Sequence, residues 1–159
     1  ASKFVNIIDD ILDKYEINTP ARVSAFLAQV GHESGNLRYV KEIWGPTKAQ
    51  ERYEGRLDLG NTEKGDGKKY MGRGLLQVTG RSNYALVGAE LGLPLLENPA
   101  LLEQPNYALE SACVFWRRNR LNEVADSGDF KLLTRKINGG YNGLTERTAL
   151  YEKAAAVFA

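Results

Sequence analysis

His32 and Cys113 are the only histidine and the only cysteine in this 159-residue chain. That is too few for a zinc site built on two histidines, for a cysteine cage, or for an intrachain disulfide. A Ser-His-Asp or Cys-His mechanism has only His32 to use; what remains, if the chain is an enzyme, is chemistry done by carboxylates. Glu33 is the first candidate. It follows Val30 by three positions and Phe26 by seven, and so projects from the apolar face of a helix. Partial desolvation there favours a protonated carboxyl, which suits a general acid. The competing reading is a buried glutamate paired with Arg73 or Arg147.

Glu42 follows nine residues later. On one unbroken helix nine residues separate the two alpha carbons by roughly 13.5 Å. An inverting glycosidase keeps its carboxyl groups about 6.5–9.5 Å apart, and a retaining one about 5–5.5 Å. Gly35 and Asn36 break the helix, however, and let the next segment fold back, so that Glu42 can face Glu33 across a cleft with room for a water. By spacing alone Glu51 and Glu54 are nearly as good, and Glu42 also reads as a solvated glutamate beside Lys41.

Further along, Gly72 and Gly74 flank Arg73 in Tyr70-Met71-Gly72-Arg73-Gly74-Leu75-Leu76-Gln77-Val78-Thr79. Such spacing marks backbone packed closely against a neighbour. A phosphate-cradling loop is excluded because GxxxxGK[ST] is absent and no strand precedes the glycines. Gln77 and Thr79, two apart, face the same way if this segment is extended, and neutral side chains of this kind suit sugar hydroxyls, amides or a held water. The alternative is a turn with a threonine cap. Asn138-Gly139-Gly140 reads equally as a helix C-cap. Trp44, Tyr53, Tyr70 and Tyr84 are candidates to stack on sugar rings, against the plainer role of core packing. His32 reads as an orienting hydrogen bonder and Cys113 as a small buried apolar residue.

The elements that must position these groups are mostly helices. Phe4, Ile7, Ile8, Ile11, Leu12 and Tyr15 recur at helical spacing. Thr19 caps a second helix with Pro20 in its first turn, ending near Gly35. Between Gly45 and Gly80 lie half of the chain's 16 glycines, so loops and a short hairpin are expected there. Helical pattern returns over Ser82–Leu91 and after Pro105, where Ala108, Ala112, Phe115 and Trp116 share a face. Asp129 caps a helix through Ile137, and Thr145 caps a last helix to about Phe158. The chain reads as one mainly α domain, 1–159, with a glycine-rich lobe at about 45–80 inserted between its second and third helices.

Composition narrows the partners. Lys plus Arg number 21 and Asp plus Glu 20, a net charge of +1 that argues against nucleic acid. No apolar run approaches the ~20 residues of a membrane span. Asp9, Asp10 and Asp13 interrupt the N-terminal segment, so no signal peptide is expected and synthesis in a cytoplasm is.

His32-Glu33-Ser34-Gly35, the Tyr70–Thr79 segment, Asn83-Tyr84 and Ile137-Asn138-Gly139-Gly140, in that order, resemble glycoside hydrolase family 19. That family includes plant-type chitinases and the lysozyme-like endolysins of bacteriophages. Trp44-Gly45-Pro46-Thr47-Lys48-Ala49-Gln50, Tyr53-Glu54-Gly55-Arg56 and Leu59-Gly60-Asn61-Thr62 resemble the phage branch. The resemblance implies an α+β lysozyme-like, two-lobed fold with a central cleft, and an inverting mechanism without metal or cofactor. It implies Glu33 as general acid, Glu42 as general base and Thr79 as the residue holding the attacking water. Gln77, Asn83, Asn138 and Tyr70 are implied as substrate contacts, and Arg147 as a charged residue beside the catalytic glutamates. The Glu42 assignment rests on the endolysin branch, because plant members place their second glutamate much farther on. The substrate expected is the glycan strand of peptidoglycan, cut by a monomer that waits in the host cytoplasm and is then released to the periplasm and wall. Chitin hydrolysis and a non-catalytic wall-binding module are the alternatives.

Overall fold

The computed structural model describes residues 2–158. Nine α-helices occur among them: α1 (Ile8–Lys14), α2 (Pro20–Glu33), α3 (Lys48–Glu51), α4 (Asp66–Lys69), α5 (Arg81–Leu91), α6 (Pro105–Arg118), α7 (Leu121–Ser127), α8 (Phe130–Asn138) and α9 (Leu144–Phe158). The only strand-like pairings among the described residues are the antiparallel bridges Lys41–Arg73 and Arg73–Val78. The fold is therefore mainly helical, as the periodicity predicts. The chain divides into two compact units. One is formed by its two ends, through Arg38 and from Phe115 onward; the other is Tyr39–Val114, which contains the whole glycine-rich segment.

In the first unit α2 packs along α9, with α7 and α8 against α2. The start of α2 is built as its sequence requires: the Thr19 hydroxyl accepts the Arg22 N–H at 3.2 Å, and Pro20 takes the first turn, where a missing N–H costs nothing. Phe26 and Trp116 meet edge to face with ring centres 5.1 Å apart, a pair contributing about 0.5–1.5 kcal/mol beyond area burial. Asp129 caps α8 by accepting the Leu132 N–H.

Two boundaries differ from expectation. The N-terminal segment is not one helix: a 3₁₀ turn at Ser2–Phe4 precedes α1. Val5 and Ile7 are β-branched and lose side-chain freedom in a helix, and Val5 is exposed, so no burial there offsets that cost. Thr145 does not cap α9, which begins one residue earlier. Gly143, at φ +75°, precedes it, and a Cβ there would collide with the His32 ring. The start of α9 is thus fitted to His32, which serves as packing surface.

The second unit is organised around short helices and turns. Tyr70, Tyr84, Leu75, Leu95, Leu102, Ala108, Leu109, Ala112 and Cys113 are buried. Asp66 ties α4 to α5: its carboxylate receives Arg81 Nε and Nη2 at 2.8 and 2.9 Å. The Asp66 side chain is 2% exposed, and the Arg81 hydrogen bond holds its pKa below the ordinary aspartate value. The depressed value means that the ion pair stabilises the fold above the unfolded-state pKa of about 3.9, and that this contribution fades as pH falls through the lower folded value. Asp66→Asn is therefore expected to lower the melting temperature at neutral pH and to flatten its decline in acid. Melting curves from pH 2 to 7 check this; an unchanged acid limb would deny Asp66 the role.

Candidate active site

Glu33 closes α2, and the residues after it explain why the helix stops there. Ser34 is buried, donates its hydroxyl to Val30 O at 2.6 Å and accepts the Leu37 N–H at 2.9 Å. Gly35, Asn36 and Leu37 all adopt left-handed φ, which only the glycine does without strain. The Glu33 side chain, 29% exposed, is thereby left at the end of the helix with Arg147 Nη2 2.6 Å from its Oε1. Of the two arginines offered as partners for Glu33, Arg147 makes the pair and Arg73 does not.

Arg147 is 1% exposed and fully engaged. Nε donates to Asn142 O at 3.0 Å and Nη1 to Gln29 Oε1 at 2.7 Å. Asn138 continues the network, its Oδ1 accepting the Asn142 N–H at 3.2 Å, so it shapes the turn that carries Asn142. Gly139, at φ +82°, is the C-cap of α8, so the helix-ending role expected for this motif is present as well. Arg147, 1% exposed, is thus a buried partner of Glu33 rather than an exposed substrate-binding group.

The second unit holds the other carboxylate. Glu42 and Gly72 exchange backbone and side-chain hydrogen bonds: Glu42 N–H donates to Gly72 O at 2.9 Å, and Gly72 N–H donates to Glu42 Oε1 at 2.8 Å. The Tyr53 hydroxyl donates to Glu42 Oε2 at 3.3 Å. Burial first, then the Glu42 charge and hydrogen bond, raise the Tyr53 pKa above its ordinary value. Trp44 lies against Tyr53 with ring centres 6.2 Å apart. Gln50 steadies the intervening turn, donating to Ile43 O and accepting the N–H groups of Gly45 and Thr47. The pattern Thr47-x-x-Gln50 is a capping box, a sequence signal that would have found it.

Gln77 and Thr79 do not lie on an extended segment. Arg73 and Val78 pair through two backbone hydrogen bonds and close a turn in which Gln77 takes φ +41°. The two side chains still converge, because a Cβ on Gly72 would stand 2.6 Å from Gln77 Oε1 and 3.2 Å from Thr79 Oγ1. The close approach expected of Gly72 is thus made by the Gln77 amide. Asn83, in the first turn of α5, donates to Thr79 O at 2.7 Å and braces the loop. Arg73, nearly buried, anchors the turn through Glu103, Lys69 O and the Tyr84 hydroxyl. Tyr84 in turn donates to Met71 O, and burial pushes its pKa up.

Tyr70 is corrected from substrate contact to core. It is 1% exposed and donates its hydroxyl to Leu96 O at 2.8 Å. Tyr84 is likewise buried, so of the four aromatics only Trp44 and Tyr53 keep accessible surface. The rival carboxylates have other surroundings. Glu54 accepts the N–H groups of Gly65 and Gly67, both at 2.8 Å, and these hold its pKa below the ordinary glutamate value. Glu51 is exposed at the end of α3. Gln29 and Thr134, the buried partners behind Arg147, were not singled out from the sequence. The signal available was a polar residue four positions before Glu33, on the same face of α2.

Tyr53→Phe removes one donor from Glu42 and leaves the ring in place. It is expected to lower kcat about tenfold with little loss of stability, since a hydrogen bond to a charged group contributes about 1.5–3 kcal/mol where it is desolvated. Turnover kinetics beside a melting curve check it; unchanged kcat would leave Tyr53 a packing residue.

The mainly helical fold and the hydrogen-bonded carboxylates Glu33 and Glu42 are accompanied by similarity to known proteins. The chitinase class I family profile matches residues 14–128. A Haemophilus influenzae protein described as a glycosyl hydrolase family 19 domain-containing protein is 36% identical over 153 residues, covering 79% of this chain and 74% of that one. An Arabidopsis thaliana endochitinase is 40% identical over 119 residues, covering 74% of this chain but 39% of that protein. Among solved structures, a bacterial family 19 chitinase superposes with a TM-score of 0.75 at 25% identity, covering 94% of this chain and 83% of the other. Chitinase C from Streptomyces griseus gives 0.72 at 25%, with 94% and 67% covered. The chain belongs to glycoside hydrolase family 19, and it is chitinase-like.

Proposed function

We propose that this chain hydrolyses β-1,4 glycosidic bonds of bacterial peptidoglycan by an inverting mechanism. Glu33 gives its proton to the leaving oxygen, and Arg147 stabilises the carboxylate left behind. Glu42 takes a proton from the water that attacks the opposite face of the sugar, with Thr79 and Gln77 placing that water. Asn83 and Asn138 keep the loops beside these groups in shape and contribute contacts to the sugar. The observation that carries the reading is the environment of Glu42: a carboxylate receiving a backbone N–H and a tyrosine O–H, with Gln77 and Thr79 over the same glycine. Glu54, by contrast, is committed to Gly65 and Gly67.

Peptidoglycan is preferred to chitin because the Trp44–Thr62 segment resembles the phage branch of the family. The enzyme then acts as an endolysin that reaches the wall from the host cytoplasm. Chitin is the second reading, favoured by the plant relatives, which are named endochitinases. Digesting purified peptidoglycan and chitin in parallel, with mass spectrometry of the products, separates them. Muropeptides ending in reducing N-acetylmuramic acid, released first as the α-anomer, are expected. Chito-oligosaccharides alone would favour chitinase, and binding to the wall without cleavage would leave a binding module.

A further inference from the structure

We infer that Gln29 is a positioning residue for the reaction: a buried neutral acceptor that fixes Arg147 against Glu33 without competing for its charge. The inference rests on Glu33 acting as the general acid. Gln29 and Thr134 are both 0% exposed. Gln29 Oε1 accepts Arg147 Nη1 at 2.7 Å, and its Nε2 donates to Thr134 Oγ1 at 2.9 Å. The Thr134 hydroxyl donates in turn to Phe130 O at 3.1 Å, inside α8. The direction of every bond in this chain is therefore determined, from a backbone carbonyl to the candidate acid: the amide of Gln29 cannot flip without setting its NH₂ against a guanidinium, which has no acceptor.

The chemistry of Gln29 matters as much as its place. A guanidinium buried beside one carboxylate is restrained by that carboxylate alone and can follow it. Three further constraints hold Arg147 here: Asn142 O at Nε, Gln29 at Nη1, and the packing that leaves 1% of the residue exposed. Both further acceptors are uncharged. Among the described residues Glu33 is the carboxylate that pairs with Arg147, so the positive charge is directed to it undivided. Gln29 and Glu33 lie four residues apart on α2, one turn of the same face, so one rigid helix sets both ends of the fork that holds Arg147. A proton donor must be placed to a fraction of an ångström, and a misplacement of 1 Å costs roughly 10²-fold in rate.

The test is a set of variants assayed on soluble peptidoglycan strands and on chitin hexasaccharide, with kcat and KM separated and melting temperatures recorded. Gln29→Leu, which removes the acceptor at nearly constant size, is expected to lower kcat roughly 30- to 100-fold with KM within about twofold. Gln29→Glu restores an oxygen at the same place but brings a second carboxylate to Arg147, so kcat is expected to stay at least roughly tenfold below wild type. Thr134→Val, which frees only the outer end of Gln29, is expected to lower kcat about three- to tenfold, and it keeps the inference testable if Gln29→Leu fails to fold. Wild-type kcat in folded Gln29→Leu or in Thr134→Val would overturn the inference, as would wild-type kcat in Gln29→Glu. Glu33→Gln, assayed alongside, separates the two levels. If it is inactive while Gln29→Leu is fully active, the inference alone fails. If wild type turns over neither substrate, or Glu33→Gln remains active, the reading beneath it fails and takes the inference with it.

Discussion

Glu33→Gln is expected to reduce turnover by about 10³-fold or more while leaving the protein folded. A positioned general acid contributes typically 10²–10⁴-fold, and a glutamine has no proton to give at this point of the reaction. The fold is expected to survive because the glutamine Oε1 still accepts Arg147 Nη2, the bond made at 2.6 Å by the glutamate. The Glu33 side chain is 29% exposed, so the change of charge is partly absorbed by solvent. Arg147, 1% exposed, loses the carboxylate it pairs with, so the melting temperature is expected to fall by several degrees while circular dichroism and substrate binding are retained. The measurement is release of reducing ends per folded enzyme. Wild-type turnover would remove Glu33 from the chemistry and leave it a structural partner of Arg147.

The second large effect is expected at Glu42. Glu42→Gln removes the base, and turnover is expected to fall by about 10²–10³-fold. The local structure accommodates it: Gly72 N–H keeps the amide oxygen as acceptor, and the Tyr53 hydroxyl rotates to accept from the new NH₂ instead of donating. Glu54→Gln has the opposite profile. Glu54 receives two backbone N–H groups, from Gly65 and Gly67, and a glutamine amide that presents one oxygen leaves one of them facing NH₂. That variant is expected to lose stability and keep its turnover per folded molecule, and Glu51→Gln to change neither, since Glu51 stands exposed on α3. The three single variants, each measured for kcat and melting temperature, decide the base. Full activity in Glu42→Gln with loss in Glu54→Gln would move it to Glu54.

These expectations mark how far local reasoning reaches. The Thr19-Pro20 start of α2, the Asp129 cap of α8, the span of α5 and the helix after Pro105 are all visible in the sequence, because each depends on residues within one turn of chain. The close approach at Gly72 and Gly74 is also visible: a Cβ at either would strike a neighbour, Gln77 in one case and Ser111 in the other. The shape of the turn between Gly72 and Thr79 is not, because the Arg73–Val78 pairing that sets Gln77 at positive φ is supported by Arg73 reaching Glu103 and Tyr84. A period-2 reading of Gln77 and Thr79 reaches the right convergence by the wrong geometry.

Sequence alone narrowed the candidate chemistry to carboxylates, predicted a helical scaffold, and carried the resemblance to family 19. One histidine and one cysteine exclude a two-histidine zinc site and a cysteine cage, and apolar spacing reports helices whatever they pack on. Only the tertiary structure decided which partner each charged group takes. Arg73 and Arg147 are equivalent candidates for Glu33 in one dimension, yet Arg147, 114 residues away, makes the bond, and Arg73 belongs to Glu103. Tyr70 and Tyr53 are both plausible stacking rings in one dimension, yet one is core and the other holds Glu42. The reason is that a helix or a cap is stabilised by neighbours three or four residues away. The partner of a buried charge is set by packing between distant segments, and local spacing carries no record of that packing.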